Sequence, residues 1–135
     1  MSKAKNILGL DLGERRIGIA RINTVAQIAE PLAVLQNDDK FVSELKWYIA
    51  EHSIDQLVVG MPRNLQGEKT QQSTAVELFT SQNLQNLGLP VVFQDETLST
   101  VMAESRSTLP KSMEDAVAAC VILEDYIMEN EGRDV

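Results

Sequence analysis

The sequence of 135 residues has few of the features of secreted, disulfide-bonded or membrane proteins. Its single cysteine, Cys120, excludes an internal disulfide framework and any cysteine-rich zinc site. The longest unbroken apolar run, residues 116–123, is eight residues long, whereas a membrane-spanning helix needs about 20. Because the first residues also lack the apolar core of a signal peptide, we expect a cytoplasmic protein without a membrane partner.

Aromatic residues are scarce as well, at 4% of the sequence, against 44% hydrophobic residues in all. Aliphatic side chains must therefore fill the core, and the chain is long enough for one compact domain. We predict a single domain over residues 1–128, followed by an acidic tail over residues 129–135.

Basic residues are few, since 12 lysines and arginines oppose 20 aspartates and glutamates, for a net charge of −8. This balance is unusual for a nucleic-acid-binding protein, because phosphate contacts need cations. Much of the excess lies in residues 111–135, which hold seven acidic and two basic residues. We therefore expect the acidic last helix to turn away from any surface that binds a polyanion.

Hydrophobic periodicity predicts five strands and four helices in the order β-β-β-α-β-α-β-α-α. The predicted strands cover residues 5–12, 16–22, 27–35, 56–60 and 90–95, the third of them at an edge because it contains Pro31. The predicted helices cover residues 38–51 (with Asp38 as N-cap), 70–86, 97–107 and 112–130. This order indicates a mixed α/β sheet with helices covering it.

Asp11 is the first candidate for chemistry, because it lies in the otherwise apolar segment "ILGLDL". A buried, ionised carboxylate is costly unless hydrogen-bond donors or a metal ion compensate it. The alternative is an aspartate that only forms the turn before Gly13. Position alone leaves both interpretations open.

Glu96 and Asp115 are the second and third candidates. Glu96 follows the strand predicted at 90–95, at the sheet end where ligands bind in such folds, or it simply begins the next helix. Asp115 either completes a capping box with Ser112 or, at helical spacing from Ala119 and Ile122, borders the core-facing stripe. Three carboxylates at one sheet end would suit Mg²⁺ or Mn²⁺, and two such ions can cleave a phosphodiester.

Four segments resemble, in order, the successive motifs of the YqgF (RuvX-like) family: "ILGLDLGERRIGIA", "VVGMPRNLQG", "PVVFQDETLST" and "EDAVAACVILEDY". Members of that family are identified as Holliday-junction resolvases and as nucleases that mature the 5′ end of pre-16S rRNA. The resemblance implies an RNase H-like nuclease domain whose five-stranded mixed sheet has the order 3-2-1-4-5, with strand 2 antiparallel. It also implies metal-dependent hydrolysis, with Asp11, Glu96 and Asp115 as the catalytic and metal-binding residues.

Five basic residues are candidates for phosphate contacts, and the alternative for each is a solvated surface charge. They follow Asp11, flank the "MPRNLQG" loop or precede the last helix: Arg15, Arg16, Arg63, Lys69 and Arg106. The family has a longer, Lys/Arg-rich segment before the last helix, whereas here residues 107–114 contain one basic residue. This departure predicts weaker nucleic-acid binding.

The predicted function is therefore that of a two-metal-ion endonuclease acting on structured nucleic acid, as a monomer or a homodimer. Its substrate would be pre-rRNA, free or in a pre-ribosomal particle, or a branched DNA such as a Holliday junction. The alternative is a non-catalytic RNase H-like module that binds nucleic acid or protein. The acidic composition favours this alternative, and the presence of all three carboxylates opposes it.

Overall fold

A computed structural model of the chain describes residues 4–97 and 111–130. Five strands make up its sheet: β1 (Asn6–Leu12), β2 (Arg16–Asn23), β3 (Glu30–Gln36), β4 (Gln56–Arg63) and β5 (Val91–Thr97). The α-helices in the described part are α1 (Phe41–Glu51), α2 (Gln71–Phe79) and α3 (Glu114–Glu129). A π-helical turn, Thr80–Leu84, and a 3₁₀ turn, Gln85–Leu87, continue α2, and a further 3₁₀ turn, Lys111–Met113, precedes α3.

The sheet has the order β3-β2-β1-β4-β5. Strand β2 is antiparallel to both of its neighbours, whereas β1, β4 and β5 run parallel to one another. This is the RNase H-like arrangement that the resemblance implies, and the prediction is confirmed. None of the described helices is long and apolar enough to span a bilayer.

Both faces of the sheet are covered, so each strand buries side chains on two sides. The first core lies between the sheet and helices α1 and α2, and its fully buried members include Leu8, Leu10, Ile17, Ile19, Phe41, Leu45, Leu57 and Val59. The second core lies under α3 and includes Ile7, Ala20, Ile22, Val58, Ala119, Ile122 and Leu123. Nearly all of these side chains are aliphatic, as the low aromatic content requires.

Three glycines, one on each of three neighbouring strands, let α3 lie directly on the sheet. An added Cβ atom would lie 1.9 Å from the Asp115 carbonyl oxygen at Gly18, and 2.6 Å from Leu123 Cγ at Gly9. At Gly60 it would lie 2.5 Å from Ile122 Cδ1. Gly18 meets backbone atoms of α3 and Gly9 lies close to the Ala119 carbonyl, so these two glycines fix the path of the helix, whereas the Ile122 methyl at Gly60 could shift. Helix α3 crosses from β2 at its start towards β5 at its end.

Two helix caps differ from the prediction. Helix α1 begins at Phe41, and the Asp38 carboxylate accepts a hydrogen bond from the Lys40 amide at 2.9 Å in the turn before it, so Asp38 is not the N-cap. Helix α3 has no side-chain cap at its start, so the predicted capping box of Ser112 and Asp115 is wrong. The Asp115 carboxylate instead forms a tertiary contact.

The strands that lead to the site are longer than predicted. Parallel pairing of β4 with β5 continues as far as Arg63 and Thr97, so that Pro62 lies opposite Glu96. Glu96 is therefore a residue of the strand and not the start of the next helix. The helix predicted over 97–107 falls, apart from Thr97, outside the described residues. The predicted domain boundary at 128/129 falls in the last turn of α3.

Candidate active site

Asp11 and Asp115 meet where β1 and β2 pass beneath the first turn of α3. Asp11 lies opposite Gly18 in the antiparallel pair, and the missing side chain at Gly18 lets the backbone of Asp115 rest on β2. Burial, and to a smaller extent the nearby charge of Asp115, together raise the pKa of Asp11 to about 6. The packing of three backbone segments thus brings two acidic groups together.

Asp115 has a cationic partner. The guanidinium Nε of Arg16 donates a hydrogen bond to its Oδ2 at 3.0 Å. The turn that carries Arg16 is itself held in place, because the amide side chain of Asn37 donates to the Gly13 carbonyl at 2.9 Å. In this structure Arg16 therefore compensates a carboxylate of the site, although most of its side chain is exposed to the solvent.

Glu96 lies on the same face of the sheet as Asp11, two strands away on β5. Because residues alternate along β5, Glu96 points to α3, as does Gln94, whose amide donates to the carboxylate of Glu129. Glu96 shares a side-chain hydrogen bond with Asp125 of α3. The pKa of Glu96 is raised to about 9. Burial is the largest cause, and the hydrogen bond to Asp125 and the charges of Asp125, Glu129 and Asp11 raise it in the same direction. A hydrogen bond between two carboxyl groups requires that one of them carry a proton.

The expectation that the acidic last helix turns away from the site is wrong. Asp125 and Glu129 follow Ile122 at spacings of three and seven residues, so they share its sheet-facing stripe. Ile122 packs against the sheet at Gly60, and the tilt of the helix carries the two acids to β5. The spacing was visible in the sequence, but the direction in which α3 crosses the sheet was not.

The three predicted carboxylates lie on one face of the sheet, with Asp11 between the other two. Strand β4 separates Asp11 from Glu96, and neighbouring strands are about 4.8 Å apart. In residues 4–97 and 111–130, no three acidic, histidine or cysteine side chains lie close enough to form a complete ligand set. The carboxylates are thus arranged as interacting neighbours around Asp11.

Asp11, Glu96 and Asp115 are called the carboxylate row below, and their chemistry fits a divalent cation. Within the described ranges, no lysine or arginine forms an ion pair with Asp11 or Glu96. Their raised pKa values show that the ionised forms lack compensation. Carboxylate oxygens are the ligands that Mg²⁺ and Mn²⁺ prefer, and such an ion would supply the missing positive charge.

The other basic candidates differ in whether their side chains have an ion-pair partner. Arg63 pairs with Asp95 at 3.0 Å, and Lys69 pairs with Glu77 at 3.2 Å. The side chain of Arg15 forms no hydrogen bond or ion pair with another described residue. Arg106 lies outside the described residues. Arg15 is therefore the one candidate whose guanidinium is uncommitted in the part of the chain that the structure describes.

A cleft of about 700 Å³ runs over the carboxyl ends of β1 and β4. Asp11 and Glu96 line it on the side of α3, together with Gly60, which leaves room between them. The wall on the other side belongs to α2. The carboxylates thus face a space large enough for a nucleotide-sized group.

The sheet order and the helix across it define a protein of the RNase H-like fold class, with an acidic cleft at the carboxyl ends of its strands. Residues 5–129 match the family described as RuvX, Holliday junction resolvase. The chain belongs to this family, which makes it a nuclease, a hydrolase that acts on phosphodiester bonds.

Relatives of similar length share about a third of their residues with this chain. One from Chloroflexus aggregans is 35% identical over 132 residues, which cover 91% of this chain and 93% of the relative. One from Synechocystis sp. is 32% identical over 136 residues, which cover 94% and 90%. Both bear names that assign them as pre-16S rRNA nucleases.

Two resolvase structures share the fold at low sequence identity. Thermus thermophilus RuvC, solved with a Holliday junction substrate, superposes with a TM-score of 0.52 at 11% identity, covering 97% of this chain and 99% of RuvC. The fowlpox virus resolvase, also solved with junction DNA, superposes with a TM-score of 0.54 at 13% identity, covering 92% of this chain and 97% of the resolvase.

Proposed function

We propose that this nuclease is a divalent-metal-dependent endonuclease that matures the 5′ end of pre-16S rRNA. The names of the relatives from Chloroflexus aggregans and Synechocystis sp. support this substrate. One observation carries the catalytic assignment: Asp11, Glu96 and Asp115 lie on one sheet face, and Asp11 interacts with both of the others. Buried acids destabilise a fold, so their presence together favours an enzyme over a non-catalytic binding module.

Asp11, Glu96 and Asp115 would hold Mg²⁺ or Mn²⁺. Such ions, one or two in number, would polarise a phosphoryl oxygen and lower the pKa of a bound water towards neutrality. Asp11 is the central ligand because it is the neighbour of both other carboxylates. Arg16 fixes the carboxylate of Asp115, and the turn held by Asn37 fixes Arg16.

The RNA backbone would be held by few cations, with Arg15 first among them. Arg16, Arg63 and Lys69 each have a partner, but every one of these ion pairs includes a side chain that is more than half exposed. Surface pairs of this kind contribute about 0–1 kcal/mol, so an incoming phosphate can replace the carboxylate. Arg106 completes the set. With so few contacts, affinity for free RNA should be weak and its dependence on salt shallow.

The setting of this reaction follows from the substrate. Action on precursor rRNA, free or in a pre-ribosomal particle, would be consistent with a cytoplasmic protein. A monomer is sufficient for cleavage at one RNA end, whereas paired cuts in a four-way junction need a two-fold symmetric dimer. We take residues 1–128 as the catalytic domain in either case.

The test is cleavage of two substrates side by side, a 5′-extended 16S rRNA fragment and a four-way DNA junction. Each is incubated with Mg²⁺, with Mn²⁺ or with EDTA, and Asp11→Asn serves as the control for contaminating nucleases. We expect metal-dependent cleavage of the RNA by the wild type only. Cleavage of the junction alone would assign the protein as a DNA resolvase, and cleavage of neither substrate would favour the non-catalytic module.

A further inference from the structure

We propose that the cleft contains a subsite for one unstacked nucleobase, on the α2 side of the carboxylates. This inference rests on the proposed nuclease function and names the part of the substrate that the site recognises. The nucleobase would belong to a nucleotide next to the scissile phosphate.

The α2 wall differs in chemistry from the carboxylate side. Its lining residues are Gln71, Gln72, Ala75, Val76 and Phe79. None of them is charged, whereas the opposite side presents Asp11, Glu14 and Glu96. A neutral wall adjoining an acidic one suits a group that is itself uncharged but is attached to a phosphate.

The two glutamines supply hydrogen-bonding capacity that the fold does not use. The side chains of Gln71 and Gln72 are exposed, and neither forms a hydrogen bond with another described residue. A primary amide offers two donors and one acceptor, which match the edge of a base. The capping of α2 does not need them, because Thr70 and Ser73 form the capping box.

The apolar residues of the α2 wall are held in position by the first core. Val76 is buried in the first core, and the ring of Phe79 packs edge-on against Phe41 with centroids 5.6 Å apart. Leu12 and Pro62 extend the apolar lining towards the carboxylates. Apolar and aromatic side chains are the surfaces on which proteins place unstacked bases.

This geometry selects an unpaired nucleotide. A base within a duplex is stacked and cannot enter a cleft beside the scissile bond without leaving the helix. The structure therefore favours cleavage at a single-stranded or bulged position over cleavage within a regular duplex.

Nucleosides without a phosphate test the subsite separately from catalysis. The metal-free protein is titrated with adenosine, cytidine, guanosine and uridine, with ribose 5-phosphate as the control, and backbone amide shifts are followed by NMR. We expect saturable shifts at Gln71, Gln72 and Phe79 with nucleosides and none there with ribose 5-phosphate. No shift with any nucleoside, or equal shifts with ribose 5-phosphate, would overturn the proposal.

Variants locate the subsite. The double substitution Gln71→Ala with Gln72→Ala should weaken nucleoside binding by about tenfold through lost hydrogen bonds, and Ala75→Phe should abolish it by placing a ring in the space beside these glutamines. The matched control is Gln82→Ala with Gln85→Ala, two exposed glutamines that lie outside the cleft lining. Equal weakening by the control pair, or unchanged binding in Ala75→Phe, would contradict the assignment.

Cleavage separates this proposal from the proposed function. The α2 double variant should cleave an RNA substrate more slowly than the wild type, and the two should cleave an abasic analogue equally. If the wild type cleaves RNA but the double variant matches it on both substrates, the subsite is wrong and the nuclease assignment stands. If nucleosides bind as expected but no RNA is cleaved, the nuclease assignment is wrong and the subsite stands.

Discussion

The two ends of helix α3 place acidic groups on the sheet in opposite electrostatic settings. At the start of the helix, Asp115 accepts a hydrogen bond from Arg16, so its charge is compensated. At the end, Glu96 shares a hydrogen bond with Asp125, another carboxyl group, and no described base is paired with it. Local partners, and not the net charge of the chain, therefore decide where a cation is needed. Asp11 lies between these two ends: Asp115 raises the pKa of Asp11, and the charge of Asp11 in turn raises the pKa of Glu96.

The largest effect is expected from Asp11→Asn, because it removes the carboxylate that lies between the two ends of α3 and interacts with both Asp115 and Glu96. We expect a loss of nuclease activity of about 10³-fold or more, the scale for losing a group that stabilises reacting charge. The fold should be retained, since asparagine has the same size. Asp95→Asn is the matched control, because Asp95 is exposed and points to the other face of the sheet. Equal activity in Asp11→Asn and wild type would refute the assignment of the site.

The next effect is a loss of stability with rising pH in the metal-free protein. The pKa of Asp11 is raised from 3.8 to about 6, so the folded state binds more protons than the unfolded state between these values. The contribution of Asp11 therefore lowers the free energy of unfolding by up to about 3 kcal/mol as the pH rises from about 4 to about 6. Glu96 extends the loss towards pH 9.

Chemical denaturation at a series of pH values measures this slope. Asp11→Asn should reduce the slope between pH 4 and pH 6 to the part that Glu96 contributes, and saturating Mg²⁺ should flatten it in the wild type by favouring the ionised carboxylates. A profile that rises over this range in the metal-free wild type would show that the acids are compensated by groups other than a metal ion.

A smaller effect is expected from Gly18→Ala, which acts on the start of α3 only. The new methyl group would lie 1.9 Å from the Asp115 carbonyl oxygen, so the first turn of the helix must shift. Overpacking of this kind costs about 1–3 kcal/mol. We expect a lower melting temperature and, because Asp115 moves from Asp11, a smaller increase of that temperature on adding Mg²⁺. An unchanged metal response in a destabilised variant would mean that Asp115 does not contribute to the cation site.

The smallest effect is expected from Arg16→Gln. This substitution removes the cationic partner of Asp115, so that the carboxylates at both ends of α3 lack a positive charge beside them. The ion pair is exposed, so stability should change by no more than about 1 kcal/mol. Without the guanidinium, repulsion between Asp115 and Asp11 increases, and Mg²⁺ should raise the melting temperature more than in the wild type. Arg21→Gln is the control, because its partner Glu30 lies away from the site. Equal metal responses in the two variants would contradict this role of Arg16.

The sequence was sufficient for the parts of the site that depend on local pattern. The apolar segment around Asp11 predicts a strand, and the spacing of Asp115 with Ala119 and Ile122 predicts a sheet-facing stripe. Both are confirmed, and Ala119 and Ile122 are buried. The sheet order could be expected only through the family resemblance, because strand pairing between distant segments leaves no local signal.

The parts that failed depend on tertiary packing. The capping box of Ser112 and Asp115 is a local motif, but Ser112 lies in the 3₁₀ turn before α3, and Asp115 accepts a tertiary hydrogen bond from Arg16. The approach of Asp125 to Glu96 depends on the angle at which α3 crosses the sheet. That angle follows from glycines on two separate strands, whose alignment becomes visible only once the register is known.

Paramagnetic broadening by Mn²⁺ tests most directly whether the carboxylate row is one cation site. Substoichiometric Mn²⁺ is added to isotope-labelled protein, and the loss of amide signals is mapped along the chain. We predict that signals around Asp11, Glu96 and Asp115 disappear together, and that Asp11→Asn abolishes the effect at all three. Broadening centred on Glu96, Asp125 and Glu129 that spares Asp11 and Asp115, or broadening unchanged in Asp11→Asn, would show that Asp11 does not organise a metal site.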